Sequence, residues 1–159
     1  MNILFICTGN TCRSPMAEGL LKDMARKKGM DINVSSAGTF AFDGQEVSME
    51  AVEVMKEEGI DIRNHRARII HRDLLESADL ILTMSSNHKK QLQNKYDFLK
   101  GKVYTLKEFA YKKEEDIEDP FGRGIDAYKK AKEEIKEALK EIIDKGLLAS
   151  GNENNGQLR

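Results

Sequence analysis

Positions 3 to 7 are apolar without interruption (Ile3-Leu4-Phe5-Ile6-Cys7), the pattern of a strand covered on both faces rather than one facing water. The period then changes. From Pro15, a proline suited to a first helical turn, Met16, Leu20, Leu21 and Met24 recur at helical spacing, and Gly29 supplies the stop. Residues 32–38 read as a second, shorter strand, leading into a loop with Phe40, Phe42 and Gly44 that is unusually aromatic for a turn. Helical spacing returns over 47–58, closed by Gly59, and a connecting segment with Leu74 and Leu75 precedes a strand at 79–84. Ser85 or Ser86 caps a polar helix running to about Lys95, and 102–106 make a fourth strand. A charged, irregular stretch then reaches the turn signal Asp119-Pro120-Phe121-Gly122. It is followed by a long helix whose stripe is Ile125, Tyr128, Ala131, Ile135, Leu139 and Ile142.

Strands alternating with helices predict one α/β domain over residues 1–146: a four-stranded parallel, doubly wound sheet with helices on both faces. After Gly146 both periodicity and apolar content fade, so 147–159 is expected to be a disordered tail. Ligands of such folds sit outside the carboxyl ends of the strands, where the segment from Cys7 to Ser14 falls.

Composition narrows the partners. The 159 residues carry 26 Lys and Arg against 27 Asp and Glu, a net charge of -1, which offers no broad basic surface for nucleic acid. Two cysteines are too few for a secreted disulfide scaffold, and the opening apolar run is too short for a signal-peptide core or a membrane span. A cytoplasmic monomer is the expectation, with no nucleic-acid or membrane partner.

The chemistry concentrates in Cys7-Thr8-Gly9-Asn10-Thr11-Cys12-Arg13-Ser14. A loop wrapping its amides around one point before a helix N-terminus makes a cradle of partial positive charge suited to a phosphoryl dianion. Gly9 and Asn10 tolerate the left-handed backbone angles that this needs. Arg13 supplies a planar two-pronged donor for phosphate oxygens. Cys7, facing the same donors, is placed to be a thiolate aimed at phosphorus, and Ser14 to hydrogen-bond its sulfur. No Gly-Lys-Ser/Thr follows, so a nucleotide-binding loop with its magnesium is excluded, and no metal or cofactor is implied. His65, His71 and His88 stand in polar contexts without a second ligand at metal spacing and read as surface or loop residues. The Lys/Glu pattern of 129–145 reads as a solvated helix face.

CTGNTCRSPMAE, SSAGT at 35–39 and Asp119-Pro120-Phe121-Gly122 together closely resemble the low-molecular-weight protein tyrosine phosphatases, in order and over residues 1 to about 145. The resemblance implies the same four-stranded fold, with Cys7 as nucleophile, Arg13 as phosphate clamp and Asp119 as general acid. The last would protonate the leaving atom and then activate water. It also implies that Asn10 shapes the loop, that Ser14 steadies the thiolate, and that Ser36 ties down the loop asparagine.

Two departures bear on substrate. Members acting on phosphotyrosine usually have an aliphatic residue where this chain has Thr11, and a tyrosine pair where it has Phe121-Gly122. Both differences resemble the bacterial protein arginine phosphatases. A phosphoguanidinium is rich in N–H donors, so a hydroxyl at Thr11 suits it, while an aliphatic side chain suits the phosphotyrosine ring. Phe40 and Phe121 serve as walls for either substrate. With Thr8 and Cys12 these residues complete the expected substrate-binding set. Arsenate reductases sharing the loop need two further cysteines, which are absent after Cys12. Cys12 reads equally as a trap that forms a reversible disulfide with oxidised Cys7 and as a small buried apolar residue. The readings in competition are thus an arginine phosphatase acting on phosphorylated proteins, a tyrosine phosphatase, and a phosphate-binding module without turnover.

Overall fold

A computed structural model describes residues 1–148 of the chain. Four parallel strands, β1 (Asn2–Cys7), β2 (Asn33–Gly38), β3 (Leu80–Thr83) and β4 (Val103–Thr105), form one sheet in the order β2-β1-β3-β4. The order reverses beside β1, whose neighbours are β2 on one side and β3 on the other. The carboxyl ends of β1 and β3 therefore flank the crevice where such sheets bind ligands.

The uninterrupted apolar run of β1 is explained by its two faces. Ile3, Phe5 and Cys7 join a core built with helices α1 (Arg13–Lys27), α2 (Met49–Lys56), α5 (Leu106–Tyr111) and α6 (Ile125–Asp144). Leu4 and Ile6 point the other way, into a smaller core with Leu75 of α3 (Arg72–Ser77) and Leu92 of α4 (Ser86–Lys95). The predicted stripe of α6 is buried at Tyr128, Ala131, Ile135, Leu139 and Ile142. Ser85 caps α4, its hydroxyl accepting the His88 amide. The four expected strands and the doubly wound architecture stand within a residue or two of their predicted limits, and no helix among the described residues is long and apolar enough to cross a membrane.

Two further helices form, one in the connecting segment and one in the stretch predicted to be irregular. The link with Leu74 and Leu75 forms α3, six residues capped by His71, and the charged stretch after β4 begins with α5. Each buries only one or two apolar side chains, too few for periodicity to register. For α5 a local signal existed: Thr105 and Glu108 form a reciprocal capping box. At the other end, Leu147 and Leu148 pack against the α6 core, so the folded part extends past Gly146. The remainder of the predicted tail, 149–159, lies outside the described residues.

Candidate active site

The loop leaves β1 at Cys7 and enters α1 at Arg13 with no side chain capping the helix and no acid in its first turn. The amides of that end are left open, with their partial positive charge, to whatever occupies the loop. Asn10 sets the curvature. It is fully buried at φ 58°, an angle that asparagine tolerates better than other residues with a side chain. Gly9, expected to share this role, does not adopt positive φ. A Cβ there would meet only Thr11 Oγ1 at 3.6 Å, so neither strain nor crowding within the protein explains the glycine.

Around Asn10 the hydrogen bonds have a readable direction. Ser36 donates to a Glu18 carboxylate oxygen at 2.6 Å, so its oxygen is free to accept Asn10 Nδ2–H at 2.9 Å. The second Nδ2 hydrogen goes to Ser14 Oγ at 2.8 Å. Ser14 therefore keeps its own hydrogen for Cys7 Sγ, 2.9 Å away. Asn10 Oδ1 accepts the Arg68 amide at 3.0 Å, and the Asn10 carbonyl lies 3.1 Å from His65 Nε2. One carboxylate thus orders a chain of donors that ends on the cysteine sulfur.

Arg13 is 5% exposed, and one edge of its guanidinium is held by the Ile117 carbonyl at 2.8 Å. Asp119 reaches over the loop to within 3.7 Å of the same guanidinium while half exposed. Its other oxygen accepts the Phe121 amide at 3.1 Å, a short turn that orients both residues. Cys7, Thr8, Gly9, Thr11, Cys12, Arg13 and Asp119 line one cleft of about 230 Å³ with Phe40 and Phe121. Of the predicted set only Asn10, Ser14 and Ser36 do not line it; all three are buried and support the loop from behind.

A family model for the low molecular weight phosphotyrosine protein phosphatases matches residues 2–152. The chain belongs to this family. Its relatives include the protein-arginine-phosphatase of Bacillus subtilis, 43% identical over 89% of this chain and 94% of that one. Among solved structures, a YwlE arginine phosphatase in a C7S form with a phosphorylated active-site serine superposes with a TM-score of 0.89 at 40% identity, covering 92% of this chain and 96% of that one. The low molecular weight protein tyrosine phosphatase of T. tengcongensis is 46% identical with a TM-score of 0.87, covering 91% and 99%. The chain is therefore a phosphatase with a family fold; overall identity does not separate arginine from tyrosine relatives.

Within this phosphatase the structure adds residues that the sequence reading passed over. Phe42 and Gln45 also line the cleft, and Phe42 meets Phe40 edge to face at 6.0 Å. All three phenylalanines, Phe40, Phe42 and Phe121, stand about 70% exposed at its mouth. Glu18 lay inside the recognised MAE segment without an assigned role. Of the three histidines, His88 departs from the expected surface or loop position. His88 is 4% exposed, its Nε2 2.8 Å from Thr8 Oγ1, and burial followed by the Arg13 guanidinium pushes it down to about 4. His65 sits behind Asn10, also lowered, by burial first. His71 caps α3. For His88 a polar sequence context did not mean exposure, because the loop that buries its ring comes from a distant segment, whereas His65 and His71 lie in loops as expected and His71 is exposed.

Cys12 is buried with its sulfur 3.2 Å from the Tyr128 hydroxyl while also lining the cleft, and both cysteines are free thiols. Burial raises the Tyr128 phenol well above its usual range, so it remains a neutral partner for that sulfur. Gly38, from the SSAGT segment, allows β2 to touch the loop: a Cβ there would fall 2.3 Å from the Thr8 carbonyl oxygen and 3.1 Å from the Asn10 amide nitrogen.

Proposed function

We propose that this phosphatase hydrolyses phosphoarginine side chains of proteins, with Cys7 as nucleophile, Arg13 as phosphate clamp and Asp119 as general acid and base. The Cys7 thiolate attacks phosphorus, forming a P–S bond as the P–N bond breaks, and Asp119 delivers a proton to the departing guanidine nitrogen. Asp119, now a carboxylate, takes a proton from water. The water oxygen bonds to phosphorus, the P–S bond breaks, and inorganic phosphate leaves with the thiolate restored. Ser14, fixed as a donor by Asn10, stabilises that thiolate as leaving group. Arg13, anchored on Ile117, keeps donor hydrogens for the equatorial oxygens. The phosphorylated serine in the C7S relative supports a covalent step at this position.

The observation that carries arginine over tyrosine is Thr11. Thr11 lines the cleft, and the hydrogen-bond partner of its hydroxyl among the described residues is the Cys12 sulfur at 3.6 Å, a weak contact that leaves the oxygen able to accept guanidinium N–H groups. The Asp119 carboxyl group offers a second acceptor oxygen in the same cleft. A tyrosine phosphatase is the alternative, favoured by the T. tengcongensis relative and by the aromatic mouth. The enzyme works as a monomer in the reducing cytoplasm, where neither Cys7 nor Cys12 is oxidised.

Rates on phosphoarginine and phosphotyrosine peptides, for the native chain and for Thr11→Ile, separate the two. The expected result is a native preference for phosphoarginine that moves toward phosphotyrosine by about tenfold or more in Thr11→Ile. A native preference for phosphotyrosine that the substitution leaves alone contradicts the arginine assignment.

A further inference from the structure

Thr8 follows the nucleophile and is held at two points. Its carbonyl accepts the Phe40 amide at 2.9 Å, which joins the aromatic wall to the phosphate loop. Its hydroxyl lies 2.8 Å from Nε2 of His88, a buried ring in the first turn of α4 that has no place in the mechanism above. On its far side, His88 Nδ1 lies 2.8 Å from Ser85 Oγ.

The cap frees a hydrogen for this chain. Ser85 Oγ accepts the backbone amide of His88 at 3.2 Å, so its own hydrogen is available to Nδ1. Burial and the neighbouring Arg13 cation keep the imidazole uncharged near neutral pH, although Asp116 and Asp119 face it and pull the other way. A neutral ring carries one N–H; with Ser85 donating to Nδ1, that hydrogen sits on Nε2 and is donated to Thr8 Oγ1.

The same turn reaches the acid. The Ser86 amide donates to Asp116 Oδ1 at 2.8 Å, and the Ile117 amide to the Met84 carbonyl at 2.8 Å, just before the Ile117 carbonyl that holds Arg13. The start of α4 therefore grips both the loop that carries Cys7 and the segment that leads to Asp119.

We propose that His88 is a positioning residue of the active site: as its Nε2–H tautomer it fixes Thr8 from behind, and through Thr8 the first turn of the phosphate loop and the Phe40 wall. The inference rests on the phosphate-loop reading of the site but not on which phosphorylated side chain is cleaved. A backbone that binds phosphate through its amides loses affinity when its first residue is free to rotate.

The test uses p-nitrophenyl phosphate turnover and competition by inorganic phosphate, with Thr8→Val, His88→Leu, His88→Gln and the Thr8→Val/His88→Leu pair. Thr8→Val retains His88, so it reports on the contact even if His88→Leu fails to fold. Thr8→Val and His88→Leu are each expected to lower kcat/KM and weaken phosphate competition by roughly tenfold, the worth of one hydrogen bond to a site of this kind. The pair should be no worse than either alone, and His88→Gln, which keeps a donor near Nε2, should recover to within about threefold of native. In the native protein, ¹⁵N imidazole shifts should show the Nε2–H tautomer. A Thr8→Val enzyme within twofold of native, losses that multiply in the pair, or an Nδ1–H tautomer would each overturn the proposal. Failure of the cysteine mechanism itself would appear separately, as native turnover that survives Cys7→Ser.

Discussion

Asn10→Ala removes the residue on which the donor chain turns, and its cost can be assembled from the contacts. Three side-chain hydrogen bonds vanish: two from Nδ2 to Ser14 and Ser36, and one accepted by Oδ1 from the Arg68 amide. At about 1 kcal/mol each they amount to about 3 kcal/mol. Alanine must also hold φ 58°, at a further cost of about 1 kcal/mol relative to glycine. The sum, about 4 kcal/mol, is a large share of the roughly 5–15 kcal/mol by which a domain is stable. For a chain of this size it corresponds to a Tm lowered by roughly 12 °C. Asn10→Gly loses the same bonds without the backbone strain and should be about 1 kcal/mol less damaging. Since the chain has no tryptophan, urea unfolding followed by far-ultraviolet circular dichroism is the suitable assay. Both variants should also lose about a hundredfold in kcat/KM, because Ser14 is no longer directed at Cys7. An Asn10→Ala protein destabilised by less than about 1 kcal/mol, or equal to Asn10→Gly, would mean that the Asn10 side chain and its backbone angle do not hold the loop in this way.

Gly38→Ala should cut kcat/KM by more than about tenfold, since its Cβ would meet the Thr8 carbonyl at 2.3 Å and push the loop itself; a native-like rate would contradict that placement. Asp119→Asn should lower kcat on a phosphoarginine peptide by about 10²- to 10⁴-fold, and by less on p-nitrophenyl phosphate, whose leaving group needs little protonation. Equal losses on both would remove Asp119 from the acid role. Stability should fall on acidification. His88 is held near 4 in the fold against 6.5 unfolded, so the unfolded chain takes its proton first. The contribution is complete above about pH 6.5 and is lost as pH falls toward 4, reaching about 2 kcal/mol by pH 5. His65, also lowered, adds in the same direction. Urea midpoints at pH 7 and pH 5 measure the drop, and His88→Gln should shrink it; an unchanged drop in that variant would place its origin elsewhere.

The sheet was legible because β1 has to be apolar on both faces, and the site because its chemistry sits in one short segment before a helix. Ser36 entered only through resemblance, yet its distance from Asn10 in sequence conceals a contact of 2.9 Å. His88 was misread for the same reason in reverse. Its neighbours Ser86 and Asn87 are polar, but the ring is buried under a loop 80 residues earlier in the chain. Gln45 and Phe42 belong to the cleft through the conformation of the loop after β2, which no spacing encodes. Short helices such as α3 bury too little to leave a period, whereas the capping box of α5 was readable and was masked by the surrounding charge.

In the proposed mechanism phosphate leaves by way of the Cys7 sulfur. Rapid quench of the native enzyme during a single turnover of p-nitrophenyl phosphate, with the peptide containing Cys7 then examined by mass spectrometry, tests it most directly. One phosphoryl group on Cys7 should rise and decay within the turnover. Phosphate released with no phosphoryl on that peptide at any time would contradict it.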